Sequence, residues 1–247
     1  MKKIFILLLA TAGLVNSLFA QDNEKKTKSK KYDLSNRVGD HIMLQYGMDR
    51  WSGAPDSLHV KGSSRHFNFY FMLDKPFKNS PKFSVAYGLG ISSSNIFFDK
   101  KYADIKSSAV QLPFRTSYPG TDSAYFNKFK LTSIFVEVPV ELRFFSDPEN
   151  SNKSFKAAIG VKVGTILKAY TKGKDLRSKT GQSIYGDKFI EKQYDRNYFN
   201  GTRLSLTARA GYGIFGVHFA YQITQALKEG TGAEIRPFSI GLTISGL

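Results

Sequence analysis

From Val136 to Phe144 the chain alternates strictly. Val136, Val138, Val140, Leu142 and Phe144 fall on one side of an extended backbone. Glu137, Glu141 and Arg143, with Pro139 among them, fall on the other. Period two is the signature of a strand whose two faces meet different surroundings. The pattern predicts a strand over 130–145, and seven further segments repeat it. Ile42, Leu44, Tyr46 and Met48 oppose Met43, Gln45 and Gly47. Phe67, Phe69, Phe71 and Leu73 oppose His66, Asn68, Tyr70 and Met72. Phe83 to Ile91 oppose Ser84 to Ser92. Beyond the central strand, Phe155 to Val163 alternate with Lys156 to Gly164, and Leu204 to Tyr212 with Arg203 to Gly211. Val217 to Ile223 alternate with His218 to Thr224, and Phe238 to Ile244 with Ser239 to Ser245. No helical period appears after the first twenty residues.

The connections alternate as well. Those around Ser52, Ser107, Arg177 and Glu229 are long or irregular, and Asn95–Asn127 and Thr171–Asn197 read as long polar loops. Those around Asn79, Glu149 and Gly213 are short and rich in turn formers. Eight strands, an even number, with short turns at one end and long loops at the other, predict an all-β fold. The expected architecture is an eight-stranded antiparallel up-and-down transmembrane β-barrel over 40–247.

Face chemistry separates this from a soluble lipid-carrying barrel. Gly, Ala and Ser share a face with Lys, Arg and Glu, and the large aromatic and β-branched residues share the other. An eight-stranded lumen has room for small and paired side chains, not for rows of Phe and Tyr. The apolar face therefore points outward, to hydrocarbon. The Gly-x-Trp expected in the first strand of a lipocalin is missing, since Gly47 and Trp51 stand too far apart.

The inward face then holds Arg143, Lys156, Lys162, Lys168, Arg203 and Arg209 against Glu137 and Glu141, a surplus of four positives (6 − 2). His66 and His218 point inward by parity. These residues predict an ion-pair and hydrogen-bond network filling the lumen; the opposing reading is a narrow anion-selective pore. If the turn SDPENSNK closes about Glu149–Asn150, paired numbers sum to about 299. Glu137 then faces Lys162, and Glu141 faces Ala158. Pro139 has no ladder donor and implies a bulge or a gap in pairing.

Composition adds three points. Met1–Ala20 has a basic start and an apolar stretch too short to span a bilayer as a helix. It reads as a cleaved secretory signal, with an uncleaved anchor as the other reading. The segment 21–39 is Lys-rich and unpatterned, and reads as a flexible periplasmic tail. The formal charge is +16, or +14 once Lys2 and Lys3 are removed, which calls for an anionic partner. For an exported barrel that partner is outer-membrane lipid, with lipopolysaccharide at the basic loops, rather than nucleic acid. There is no Cys, so disulfides are excluded, and no His cluster has the spacing of a zinc site. No cofactor, metal site or catalytic residue is expected.

The Ala–Gln junction, the eight alternating strands and the motif VEVPVELRF resemble the PorT-like outer-membrane β-barrel family of the Bacteroidetes. The Glu-hydrophobic-Pro motif of that family is Glu137, Val138 and Pro139 here. The resemblance spans about Gly39 to Leu247 and is specific around Pro139 and in the terminal GLTISGL. The final Leu247 departs from the aromatic residue that usually ends such barrels. The resemblance implies a multi-pass barrel in the bacterial outer membrane and an association with a protein-secretion complex.

Three functions follow in order. The first is a non-enzymatic envelope barrel that presents loops or docks onto a larger complex. The second is a lipid-modifying enzyme, which needs a nucleophile and base at the lipid-facing rim. Of the four histidines, His41, His59, His66 and His218, only His59 lies in a loop, two residues from Ser57. The third is the narrow pore.

Overall fold

The computed structural model describes residues 41–56, 58, 60–121 and 123–246. The segments read above as a signal and a basic tail, with Ser57, His59 and Leu247, lie outside the described residues. In chain order the strands are β1 (Ile42–Ser52), β2 (Arg65–Pro76), β3 (Phe83–Phe98), β4 (Tyr102–Ala103), β5 (Phe114–Arg115), β6 (Tyr125–Phe145), β7 (Phe155–Arg177), β8 (Ile190–Tyr194), β9 (Thr202–Tyr212), β10 (Phe215–Gln222) and β11 (Arg236–Ser245). A single 3₁₀ turn, Ser151–Lys153, links β6 to β7.

Eight of these form a ring in the order β6-β3-β2-β1-β11-β10-β9-β7, and β7 pairs back with β6. Every pairing in the ring is antiparallel. Each barrel strand lies beside its neighbours in sequence, and the first strand closes on the last. This is an up-and-down eight-stranded barrel. A ring has no free edge, so the backbone groups that hydrocarbon cannot solvate find partners within the sheet.

The outward face is apolar. Phe67, Phe69, Phe71, Leu89, Ile91, Val138, Ile159 and Leu242 are all exposed, while Glu137 and Arg143, one residue out of phase on β6, are 1% and 2% exposed. On β3 the apolar outward run extends from Phe83 to Ile91. Eight steps of about 3.4 Å give ~27 Å along the strand, or ~20 Å of height at a tilt of about 40°. That approaches the thickness of an outer-membrane apolar band. Phe83, Phe144, Phe155, Tyr212 and Phe215 flank the three short turns on this face, with the Phe83 and Phe144 ring centroids 5.3 Å apart.

Four sequence readings are corrected. The first is register. Pro139 stands opposite Lys162, Glu137 opposite Gly164 and Glu141 opposite Gly160. Paired numbers therefore sum to 301 (139 + 162), because the turn between Phe145 and Phe155 is centred one residue later than expected. The second is Lys168. Across β6 and β7 the register shifts between Ile134 and Phe135, where Lys168 and Ile166 are the partners. Leu167 is the extra residue of a bulge, parity flips beyond it, and Lys168 points outward, exposed.

The third concerns the long loops, which carry much more structure than expected. β3 runs on to Phe98, β6 starts at Tyr125, β7 reaches Arg177, β8 extends the sheet at this end, and β4 pairs with β5. The fourth is the charge surplus, taken up below.

Polarity inverts along β6. From Val136 to Phe144 the outward residues are apolar. Nearer the loop end Lys128 and Lys130 point outward, while Phe129, Leu131 and Phe135 are buried inside. Pro139 leaves a gap rather than a bulge. The β3–β6 ladder keeps its register from Tyr87↔Val140 to Gly90↔Glu137 but lapses between them, where the proline nitrogen has no hydrogen to donate.

Candidate functional site

Two adjoining bodies fill the barrel: a polar network in the membrane-spanning part and an apolar cap at the loop end. Alternation supplies both, because each inward residue is set by its parity on a paired strand.

Glu137 on β6 is the centre of the network. Arg203 of β9 reaches it over Gly164, which pairs with both residues, with Nε donating to Oε1 at 2.7 Å and Nη2 also bonded to that oxygen. The Tyr70 hydroxyl of β2 donates to Oε2 at 2.5 Å. Lys162 of β7 lies 3.4 Å from the same oxygen and donates to Tyr70 at 3.2 Å. Although Lys162 is not directly opposite Glu137, it meets it on the diagonal, and Gly164 opposite leaves room for the carboxylate. The Arg203 guanidinium also sits 4.0 Å above the Phe135 ring and donates to Ser92 at 2.8 Å. Ser92, Asn68 and Gln45 continue the chain at 2.7 and 3.1 Å.

Nearer the turns, Glu141 accepts from Arg209 at 2.7 Å and from Arg143 Nε at 3.0 Å. Arg143 Nη1 stands 3.7 Å from Asp74, which accepts from Ser84 at 2.6 Å. Lys156 lies over the Phe145 ring at 5.6 Å.

A third group is a relay of rings. Asp49 accepts from Ser239 at 2.6 Å and also from Ser94, and bonds His66 Nδ1 at 2.7 Å. His66 Nε2 meets His218 Nε2 at 2.8 Å, and His218 Nδ1 meets the Thr243 hydroxyl at 3.2 Å. His66 and His218 are thus committed inside the lumen, far in character from an exposed rim site.

Asp49 and Asp74 were missed by the sequence reading. Both follow from parity, since Asp49 continues Met43, Gln45 and Gly47, and Asp74 continues His66 to Met72. With them counted and Lys168 removed, Arg143, Lys156, Lys162, Arg203 and Arg209 face Asp49, Asp74, Glu137 and Glu141. The surplus falls from four to one (5 − 4). A cavity of about 50 Å³ lies between the network and the cap, bordered by Asp49, Asn68, Ser92, Arg203 and Phe199. Among the described residues no group of three or more His, Asp or Glu side chains is arranged to hold a metal ion.

The cap gathers the long connections onto one apolar core. Leu58, Phe98, Tyr102, Ile105, Leu112 and Phe199 are buried together there. Tyr198 joins three of the connections. Its hydroxyl lies 2.7 Å from the carbonyls of both Ser107 and Ala109, and its own carbonyl accepts from Lys228 at 2.9 Å and Thr231 at 3.1 Å. The Tyr102 hydroxyl donates to Gln193 at 2.8 Å. Burial, with Glu191 beside it, pushes the Tyr118 hydroxyl up to about 12. Asp175, where β7 leaves the barrel, takes the hydroxyl of Ser183 at 2.5 Å, Arg177 at 2.8 Å and Asn127 at 3.1 Å. The Ser183 bond foremost, then Arg177 and Asn127, holds its carboxyl below the usual range.

A family model agrees with this architecture. The family described as outer membrane protein beta-barrel domain matches residues 19–227. The crystal structure of Ail, the attachment invasion locus protein of Yersinia pestis, aligns at 12% identity with a TM-score of 0.29, covering 83% of this chain and 95% of that one. The same protein in complex with the heparin analogue sucrose octasulfate aligns at 12% identity with a TM-score of 0.30, covering 83% and 96%. No curated protein matches the chain. The family match covers more than four-fifths of the sequence, and the chain belongs to the outer membrane protein beta-barrel domain family.

Proposed function

We propose that this outer-membrane barrel is a non-enzymatic docking component of the envelope, and that its working surface is the loop-end cap, facing outward. The observation that carries the reading is the cap itself. Loops without a task beyond joining strands need no shared core, whereas here separate connections bury apolar residues together and are tied through Tyr198. A preordered surface binds a partner without first losing loop entropy. The lumen network is read as a structural plug, since Arg203 and Tyr70 converge on Glu137 from either side, over Gly164 and Gly90, within an interior that eight strands leave narrow. Against an enzyme, His66 and His218 are buried and bonded within the lumen. The resemblance around Glu137, Val138 and Pro139 makes a protein-secretion complex the first place to seek the partner. Phosphates of outer-leaflet lipopolysaccharide are the expected lipid contact.

The test is single-cysteine labelling of intact cells with an impermeant maleimide. Ser107→Cys and Lys179→Cys should label, and Asn79→Cys, in a short turn, should label only after the cells are opened. The reverse pattern refutes an outward cap. Ion conductance by the purified protein in planar bilayers refutes the plug.

A further inference from the structure

The outward face of β6, β7 and β8 beyond the apolar band carries lysines in direct opposition. Lys130 stands opposite Lys172, and Lys172 opposite Lys192. One row further out, Lys128 stands opposite Lys174. Like charges directly across a ladder destabilise a sheet. Neither row holds a carboxylate at its paired positions. Glu191 and Gln193 alternate to the other face, toward Tyr118 and Tyr102. Asp99, at the edge of this surface, is bonded to Lys61 at 3.1 Å.

The rows lie at a defined depth. Tyr170 and Tyr194 pair one outward position below the first row, ring centroids 5.3 Å apart. The apolar band ends one further position down, at Ile134, whose partner across the ladder is the exposed Lys168. Tyrosines mark the membrane–water boundary, and each outward step covers about 7 Å of strand. The lysines therefore sit at the height of the lipid headgroups. Beside them a groove of about 580 Å³ is lined by Lys61, Arg65, Asn95, Phe97, Lys128 and Lys130. Arg65 and Lys130 are both held over the Phe97 ring, at 6.0 and 5.7 Å, and Lys130 donates to Asn95 at 2.7 Å.

We propose that this face is a binding site for the phosphates of an outer-leaflet glycolipid headgroup of the lipid A type, seated across Lys130, Lys172 and Lys192 with Arg65 at its edge. The phosphates supply the counter-charge that the opposed lysines lack. The site rests on the reading that the loop end lies in the outer leaflet.

The test uses the full chain folded in zwitterionic detergent, with a fluorescent bisphosphorylated lipid A as probe. Wild type should bind it. The triple variant Lys130→Gln/Lys172→Gln/Lys192→Gln should bind at least tenfold more weakly, and the triple Lys→Arg variant should keep its affinity within about threefold. Lys78→Gln/Lys82→Gln/Lys153→Gln, at the turn end, should match wild type. Folding of each variant is read from its unboiled mobility in SDS. Should the triple Gln variant fail to fold, Lys172→Gln alone should still weaken binding measurably. Equal binding by wild type and the folded Gln variants overturns the site. Full displacement by an equal concentration of inorganic phosphate overturns the lipid as its occupant. Micelles have no sidedness, so this result stands apart from the labelling of Ser107→Cys and Lys179→Cys, and either can fail without the other.

Discussion

Glu137 is a carboxylate buried at the centre of a barrel wall, and its stability depends on the groups it can reach. Removing one partner of a buried pair leaves an unmatched charge and costs about 3–5 kcal/mol, whereas removing both costs much less. Arg203 makes two bonds to Glu137 and Lys162 makes one longer contact. In double-mutant cycles read by urea unfolding, Glu137→Gln with Arg203→Met should show a coupling energy clearly larger than Glu137→Gln with Lys162→Met. Equal couplings would mean that Arg203 is not the main partner. Gly164 is tested separately. A methyl there would stand 2.8 Å from Glu137 Cγ and 2.9 Å from the Val136 carbonyl, so Gly164→Ala should destabilise by about 1–3 kcal/mol. An unchanged urea midpoint would show that the carboxylate moves aside freely. Parity alone made the inward side of Glu137, Glu141 and Arg143 legible in the sequence. It could not give the partner, because register depends on where a turn is centred, and the turn after Phe145 is centred one residue later than its composition indicates. Asp74 carried the same parity signal but read as the start of the polar connection with Lys75 and Pro76, whereas Asp49 lay inside the expected first strand, His41 to Trp51, and was left out of the inward count.

At the scale of elements, β7 shows where alternation stops being readable. Up to Val163 the pattern holds. One inserted residue, Leu167, then exchanges the faces, and nothing in a single sequence distinguishes a bulge from continued alternation. Deleting Leu167 would turn Lys168, Tyr170, Lys172 and Lys174 toward the cap core and Ala169 and Thr171 outward. That deletion should lower the urea midpoint far more than Leu167→Ala, and similar midpoints would mean that the bulge does not set the facing. The loop-end extension escaped the sequence reading for a related reason. There the apolar residues Phe129 and Leu131 lie inside and the lysines outside, the reverse of the pattern lower down. The hairpin that follows β7 is tied down by Asp175. A carboxyl held below its ordinary value stabilises fully above the unfolded value of about 3.9 and loses that contribution as pH falls through the lowered one. Hydrogen exchange of residues 178–189, corrected for intrinsic rates, should therefore speed up between pH 5 and pH 2 in wild type. In Asp175→Asn it should already be fast at pH 5. Identical profiles would remove Asp175 from that role.

At the scale of the whole molecule, closure of β1 on β11 means that no barrel strand can peel away without breaking ladders on both sides. Unheated protein in SDS should migrate differently from boiled protein, and identical mobility would contradict a closed ring. The inversion of polarity along β6 and the aromatic rows beside the turns have a mechanical consequence. With the cap outward, as proposed, sinking the barrel toward the periplasm would drag first Lys168 and then Lys128, Lys130, Lys172 and Lys174 into hydrocarbon. Raising it would draw Phe83, Phe144, Phe155 and Phe215 from the periplasmic interface into hydrocarbon and push the upper apolar wall out among the headgroups. Both displacements meet a steep restoring force, so the barrel floats at one draught, and in the proposed docking role whatever the outward cap held would be kept at a constant height above the membrane even when a bound partner pulled on it.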